Sequence, residues 1–396
     1  MSVLIDTVGE ITGGLGSGRK MVWVGNVAWA FAFDGTQTLA SYYSPDLVNW
    51  YPGATHSLLN AHLGEGRNLS VGHAILSGVD VIWVAITYQV ATTLGVNMIR
   101  ATVSGTTLTW HTTETLIGTP TTDGDALYWA GASVMFDSNN RIHLANSFAG
   151  PGTGGNGDVV ANRSSIDAGG PEQQTALTWP NGYVIDSSVT AENRSMYLFS
   201  RGSGLAALIN DDGSAANTTT GLDYHTFNGS AWNIDNTNGK VTGGQITAID
   251  KNDWGAVELS TSAAHAVYRS AVGALVHRVW AGATWGAGDV IPALTTNSGT
   301  GIALASDGTT VYLVVIANDN SIQCISWRSG GWDLAWTLLE GSATAKTFVS
   351  CAKDVASGNF LVCWHEGQNL MSTYFNPGGP TYLAYYPYWF NALRVM

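Results

Sequence analysis

Six tryptophans recur in this chain at one kind of place, and that recurrence limits the fold more than any other feature. SYYSPDLVNW (41–50) and RATVSGTTLTW (100–110) each run from a strand through a Ser and a short turn to a Trp. Both span seven residues from Ser to Trp. TFNGSAW (226–232), RVWAGATW (278–285) and SWRSGGW (326–332) repeat the pattern, and TALTW, ending at Trp179, is a longer version. The turn tryptophans are Trp50, Trp110, Trp179, Trp232, Trp285 and Trp332, spaced by 60, 69, 53, 53 and 47 residues. A fixed period in the range of 20 to 50 residues, or slightly above it, is the mark of a solenoid, propeller or array.

Three strand-like runs precede each tryptophan. In the sixth unit they are GIALASD (301–307), VYLVVIAND (311–319) and IQCISWR (322–328); in the first, KMVWVGN (20–26), AWAFAFD (28–34) and QTLASYYS (37–44). A fourth strand follows the Trp, as in WTLLE (336–340). A seventh unit, FVSCAKD (348–354), FLVCWHE (360–366) and NLMSTYFN (369–376), lacks the Trp and a fourth strand of its own. Connections such as SDGTT and ANDNS carry the Asp, Asn and Gly that tight hairpins require.

Seven units of about four antiparallel strands predict an all-β fold, a single seven-bladed β-propeller over residues 1–376. Six blades are the alternative if one weaker unit is misassigned. SVLIDTV (2–8) can supply the missing strand of the seventh unit, so the ring is expected to be closed by the N-terminal strand, which removes two open edges. GGLGSGRK (13–20) then serves as a connector. It departs from a phosphate loop because Arg19 stands where that loop needs Lys and no helix pattern follows. The recurrent Trp reads as a fastener packed against the next blade, with a sugar platform in each unit as the alternative.

Charged residues make up 11% of the chain, against about 25% in an ordinary globular protein. Only five of the sixteen basic residues are Lys, the formal net charge is −13, and no basic cluster occurs, which disfavours a nucleic-acid partner, and none is expected. No run approaches the ~18 apolar residues of a membrane span, so no membrane insertion is expected. The start MSVLIDTVGEITGG has neither the basic nor the apolar region of a secretory leader. Cys324, Cys351 and Cys363 read as buried free thiols, with a Cys351–Cys363 bridge as the alternative. No His/Cys cluster has zinc spacing and NDDGS and ANDNS lack calcium-loop spacing, so no metal and no cofactor are expected.

SPDLVNW resembles the Ser-x-Asp-x-Gly-x-Thr-Trp turn of sialidase-type propellers, one residue short and without the Gly. It is also similar to the Ser-x-Asp-Leu-x-x-Trp turn of five-bladed furanosidase-type glycoside hydrolases. In those families the turn is structural and lies away from the catalytic centre, so the resemblance implies a propeller and no particular chemistry. A sialidase needs an Arg triad with a Tyr/Glu pair, and no Arg-Ile-Pro motif opens this chain. The furanosidase families place carboxylates at inner-strand ends of the first blades, where this chain reads Lys20-Met21-Val22, Ser70-Val71-Gly72 and Gly131-Ala132-Ser133. No catalytic residue is assigned, and His73 and His143 read as channel or core histidines.

Unequal loops direct the search for a binding site. Second-to-third-strand loops are tight in blades one, five, six and seven but long in blades three (149–158) and four (210–221). The inter-blade segments 56–68 and 118–131 are long too, and all four fall on one side of the ring over blades one to four. Long loops on a rigid scaffold are the usual binding place. That sector offers Glu65, Arg67, Asp125, Tyr128, Trp129, Asp158 and Asp211, a set in which rings can stack on a sugar and charged groups can bond its hydroxyls.

Residues 377–396 form a separate tail, with Tyr382, Tyr385, Tyr386, Tyr388, Trp389 and Phe390 in nine residues. Such density marks an interface, either on its own propeller or on a neighbouring subunit. The low-Lys, Gly/Ala/Thr/Asn-rich composition and this tail resemble structural proteins of tailed-phage virions. The resemblance implies a virion location, with a cytoplasmic or extracellular one without a cleavable signal as the alternative, and a non-catalytic decoration, tail or receptor-binding role. The expected partners are a cell-surface glycan or a structural protein, in an oligomer or larger assembly. A glycan-active hydrolase or lyase, and a soluble lectin, are the alternatives.

Overall fold

The computed structural model describes residues 2–8, 19–34, 37–59, 69–90, 93–117, 132–136, 142–149, 157–163, 183–187, 192–201, 204–212, 221–227, 232–233, 253–260, 263–270, 273–281, 285–356 and 358–376. After β1 (Val3–Thr7), the first sheet holds β2 (Met21–Val24), β3 (Val27–Phe33), β4 (Thr38–Ser44) and β5 (Tyr51–Ser57). The second holds β6 (Leu69–Leu76), β7 (Val79–Val90), β8 (Thr93–Ser104), β9 (Thr107–Trp110) and β10 (Thr115–Ile117). The third comprises β11 (Ala132–Phe136), β12 (Ile142–Ala149), β13 (Gly157–Arg163) and β14 (Tyr183–Ser187). The fourth comprises β15 (Glu192–Arg201), β16 (Gly204–Asp212), β17 (Gly221–Phe227) and β18 (Trp232–Asn233). The fifth is built from β19 (Trp254–Ser260), β20 (Ala263–Arg269), β21 (Leu275–Ala281) and β22 (Trp285–Ala287). The sixth is built from β23 (Ile302–Ser306), β24 (Val311–Ile316), β25 (Ile322–Arg328), β26 (Gly331–Trp332) and β27 (Thr337–Glu340). The seventh holds β28 (Thr347–Cys351), β29 (Phe360–Glu366) and β30 (Asn369–Phe375), and β1 pairs with β30 through Val3↔Ser372 and Thr7↔Asn369.

The described residues thus form seven antiparallel sheets, in the expected order. The outer element departs from a single fourth strand in two of them. In the second and sixth sheets it divides into two pieces, β9 with β10 and β26 with β27, which pair different parts of the same third strand.

Alternating side chains explain how the sheets stack, because successive residues point to opposite faces. In β3, Trp29, Phe31 and Phe33 pack with Ile82, Val84 and Ile86 of the second sheet, while Ala28, Ala30 and Ala32 face Leu361 and Cys363 of the seventh. In β24, Leu313 and Val315 face the fifth sheet and Tyr312 and Val314 the seventh. Both faces of these second strands are buried, so they read as continuous apolar runs. The outer β5 is mostly exposed. Inner strands are joined by a repeated serine: Ser70 Oγ accepts from Val134 N at 3.1 Å, and Ser133 Oγ from Leu198 N at 3.0 Å. Gly255 permits a close approach of β19 to β23, since a Cβ there would lie 2.7 Å from the Ile302 carbonyl.

Three of the turn tryptophans, Trp50, Trp110 and Trp332, are fasteners, but they grip the preceding sheet rather than the following one. Trp110 of the second sheet meets Phe31 of the first edge-on at 6.0 Å and donates to the Ala54 carbonyl at 3.0 Å. Trp332 of the sixth donates to His277 of the fifth, and Trp50 of the first packs in the cluster that holds Leu361 and Leu370 of the seventh. The Ser-Pro-Asp turn supplies the geometry: Asp46 Oδ1 accepts from Val48 N and Asn49 N at 2.9 and 2.7 Å. Trp179 lies outside the described residues.

All three cysteines are buried and free, so the alternative Cys351–Cys363 bridge is not formed. Burial pushes the Cys351 thiol up to about 12 and Cys363 up to about 11. No helix among the described residues is long and apolar enough to cross a membrane.

Candidate functional site

Two cavities meet on the inner strands. The first, about 140 Å³, is lined by Arg19, Trp23, His73, Phe136, Tyr197 and Asp354, among others. Arg19 stands where the chain enters β2, and its carbonyl accepts from Val71 N of β6 at 3.0 Å. Its guanidinium lies 4.7 Å over the Tyr197 ring of β15, a cation–π contact between the first and fourth sheets. Burial brings Arg19 down to about 10, against the pull of the nearby Cys351 and Asp354. His73 Nε2 lies 2.9 Å from Asp80 Oδ1.

The second cavity, about 330 Å³, is lined by Glu258, Ser306, Asp307, Lys353 and Asp354 with the adjoining Leu259, Gly308 and Val355. Lys353 and Asp354 border both cavities. They follow β28, held in place by a hydrogen bond from Ser306 N to the Lys353 carbonyl at 3.1 Å. The Lys353 ammonium forms an ion pair with Glu258 of β19. Burial lowers the Lys353 pKa to about 8, opposed by Asp354 and reinforced by Arg19. Asp307 is spent on its own hairpin: Oδ1 accepts from Thr309 N at 2.8 Å and Thr310 N at 2.7 Å, and Oδ2 from the Tyr312 hydroxyl at 2.7 Å. Burial works against its charge, but these bonds, the Tyr312 one foremost, hold it below the ordinary aspartate range.

Chemically, the first cavity offers the Tyr197 ring and Arg19, the second offers Glu258 and Asp307, and Lys353 and Asp354 border both. Their acids come from the fifth, sixth and seventh sheets. The described inner strands of the first three sheets, β2, β6 and β11, carry none. Among the described residues no group of three or more His, Cys, Asp or Glu could hold a metal ion.

No protein-family model and no curated protein matches the chain in sequence. Solved structures do match in shape. A leech intramolecular trans-sialidase complexed with 2,7-anhydro-Neu5Ac superposes with a TM-score of 0.52 at 8% identity, covering 88% of this chain and 83% of that one. The Aleuria aurantia fungal lectin, a six-bladed β-propeller with a fucose recognition mode, superposes with a TM-score of 0.50 at 13% identity, covering 84% of this chain and 99% of that one. The fold is a β-propeller.

In propeller terms the two cavities lie among the inner strands of the blades. The second cavity opens beside the hairpin 307–310, between first and second strands. The sequence assigned binding to the opposite end, where second strand meets third. Asp158 and Asp211 do sit at that end by strand position: Asp158 pairs with Phe148 and Ser187, and Asp211 with Asn193 and Gly221. Glu65, Arg67, Asp125, Tyr128 and Trp129 lie outside the described residues, as do Tyr385, Tyr386, Tyr388, Trp389 and Phe390. His73 lines the first cavity and His143 is buried in the core, in keeping with their reading as channel and core histidines.

Sequence reasoning missed Arg19, Tyr197, Glu258, Lys353 and Asp354. One signal was available. In a chain with so few charges, Lys353-Asp354 ends an inner strand, and Arg19 begins one.

Proposed function

We propose that this chain is a glycan-binding propeller of lectin type, its seven sheets acting as seven blades of one ring and its two ends meeting in the β1–β30 ladder. Seven blades are supported by the sheet count and by the packing of the first sheet on both the second and the seventh. The superposition with the six-bladed lectin agrees in scale, since 84% of this chain is enough to cover 99% of that ring.

The observation that favours binding over hydrolysis is the engagement of the acids that line the cavities among the described residues. Glu258 is paired with Lys353 and Asp307 is locked into its hairpin, while Asp354 lines the first cavity with Arg19 and Lys353 and its charge opposes the loss of theirs. A hydrolase needs one acid free to give up a proton and another free to attack or activate water. Held carboxylates and cations instead present fixed hydrogen-bonding partners to hydroxyl groups, next to the Tyr197 ring. A cavity near 330 Å³ falls at the small end of ligand pockets, about 300–1,000 Å³. A glycan end can enter it, while Arg67, Asp125, Tyr128 and Trp129, with Glu65, Asp158 and Asp211, provide a second seat over blades one to four.

Neutral and acidic glycans on an array test the proposal. Retention of a defined glycan without release of sugar products is expected. Lys353→Ala with Asp354→Asn weakens it if the cavities are the seat, and Arg67→Ala with Trp129→Ala weakens it if the loops are. Turnover of the bound glycan would sink the reading. The virion setting proposed from composition adds no ligand chemistry, and detection of the chain in purified particles tests it separately.

A further inference from the structure

The two most exposed large apolar side chains among the described residues are Leu334, 97% exposed, and Val290, 91% exposed. They share one rim of the sixth blade. Trp336 Nε1 donates to the Pro292 carbonyl at 3.0 Å, and Trp327 Nε1 to Asp289 Oδ2 at 2.6 Å, so the segment 289–292 lies along the outer pieces of that blade. On β27, paired with β25 through Gln323↔Leu338, Leu338 adds a third exposed apolar side chain, 57% exposed. Partly buried Trp327 and Trp336 border the group. The exposed apolar tips sit on the same segments as the two indoles or next to their partners, and nothing in the blade's own packing calls for them, because Ile291 and Leu339 already fill the inward positions.

We propose that the aromatic segment 382–390 of the same chain docks on this rim. Three observations favour that occupant. The last described strand, β30, packs beside β27: Phe375 and Leu339 share one apolar cluster. The chain therefore leaves Asn376 next to the blade that carries the rim. Five residues lie between Asn376 and Tyr382, and the six steps at ~3.3 Å per residue span about 20 Å, enough to pass from one blade to its neighbour. Finally, residues 377–396 hold one charged side chain, Arg394, beside six aromatic rings, a composition suited to an apolar rim and costly to leave in water.

The test uses the full chain with the photocrosslinker benzoylphenylalanine in place of Leu334. Irradiation is expected to give a link to a peptide from 382–390 within one chain, shown by mixing isotopically light and heavy protein and finding no mixed pair. Tyr388→Ser with Trp389→Ser should abolish that link and speed hydrogen exchange over 333–338. A light–heavy link would give the rim to a second copy and overturn the proposal. No link to the tail, with exchange at 333–338 unchanged in the double variant, would overturn it as well.

Discussion

His265 Nδ1 lies 2.9 Å from His277 Nε2 across the fifth blade, with the two rings stacked at 5.1 Å and 11°. Trp332 Nε1–H can only donate, and it gives its proton to His277 Nδ1 at 3.2 Å. His277 therefore carries its own proton on Nε2 and donates it to His265. Both rings are buried and the Trp327 ring closes over His265 at 4.4 Å. The pair is arranged for two neutral imidazoles.

Burial holds His265 down to about 3, with the neighbouring His277 adding to the effect, and His277 down to about 4, with Asp289 opposing. Folded pKa values below the unfolded value of about 6.5 mean that the unfolded chain takes up protons first. The stability these groups contribute is whole above pH 6.5 and is lost as pH falls from 6.5 toward 4 and 3. The slope is up to about 1.4 kcal/mol per pH unit for each ring. Thermal melts between pH 7 and pH 4 should show a falling Tm. His265→Gln with His277→Gln should flatten that fall, and an unchanged slope in the double variant would assign it to other groups.

Trp110 joins the second blade to the first through its ring contacts and its bond to the Ala54 carbonyl. Trp110→Ala removes both and should cost roughly 3 kcal/mol. Trp110→Phe keeps most of the contact area and loses the hydrogen bond, for about 1 kcal/mol. Urea denaturation separates the two. Equal losses would mean that the bond, rather than the packing, holds the blades together.

The sequence made the blades legible because their cause is local. Alternation such as AWAFAF, hairpin residues and a recurring Trp each act within a few positions. The direction in which Trp110 and Trp332 point was not legible, because it depends on how neighbouring sheets rotate against each other. The inner cavities were hidden for the same reason. Arg19, Tyr197 and Lys353 lie far apart in sequence and converge only when blades one, four and seven meet. The loops over blades one to four drew attention because length is visible in a sequence. Convergence on an axis is not.

Asp46 shapes the Ser-Pro-Asp turn that precedes Trp50. Bonds from Asn49 N, the Asn49 side chain and Val48 N bring its carboxyl down to about 2. A lowered folded pKa gives support that is present above about pH 4 and lost as pH falls through 2. Asp46→Ala should lower Tm at pH 7 and leave it unchanged at the acid end of the profile, while Asp46→Asn, which keeps an acceptor, should lie between. A pH-independent loss would show that the side chain acts through packing instead.

Asp253 and Arg269, just before β19 and at the end of β20, tie the fifth sheet to the segment that crosses to the sixth. Arg269 Nε donates to Asp253 Oδ2 at 3.0 Å, and both side chains are more than nine-tenths buried. The other nitrogens reach into the crossing segment: Nη1 donates to the Thr296 carbonyl at 2.8 Å and to Thr296 Oγ1, and Nη2 to the Asn297 carbonyl. Asp253 Oδ1 accepts from Gly299 N at 2.9 Å. Removing one partner leaves the other buried without its counter-charge, which costs about 3–5 kcal/mol. Arg269→Met and Asp253→Asn should each lose stability in that range. The double variant should lose clearly less than the sum, since the second change removes the charge stranded by the first. Lys at position 269 cannot fork to Asp253, Thr296 and Asn297 together, so Arg269→Lys should recover only part of the loss. Additive losses in the double variant would mean that each side chain stabilises the crossing independently, through Gly299 in one case and Thr296 in the other.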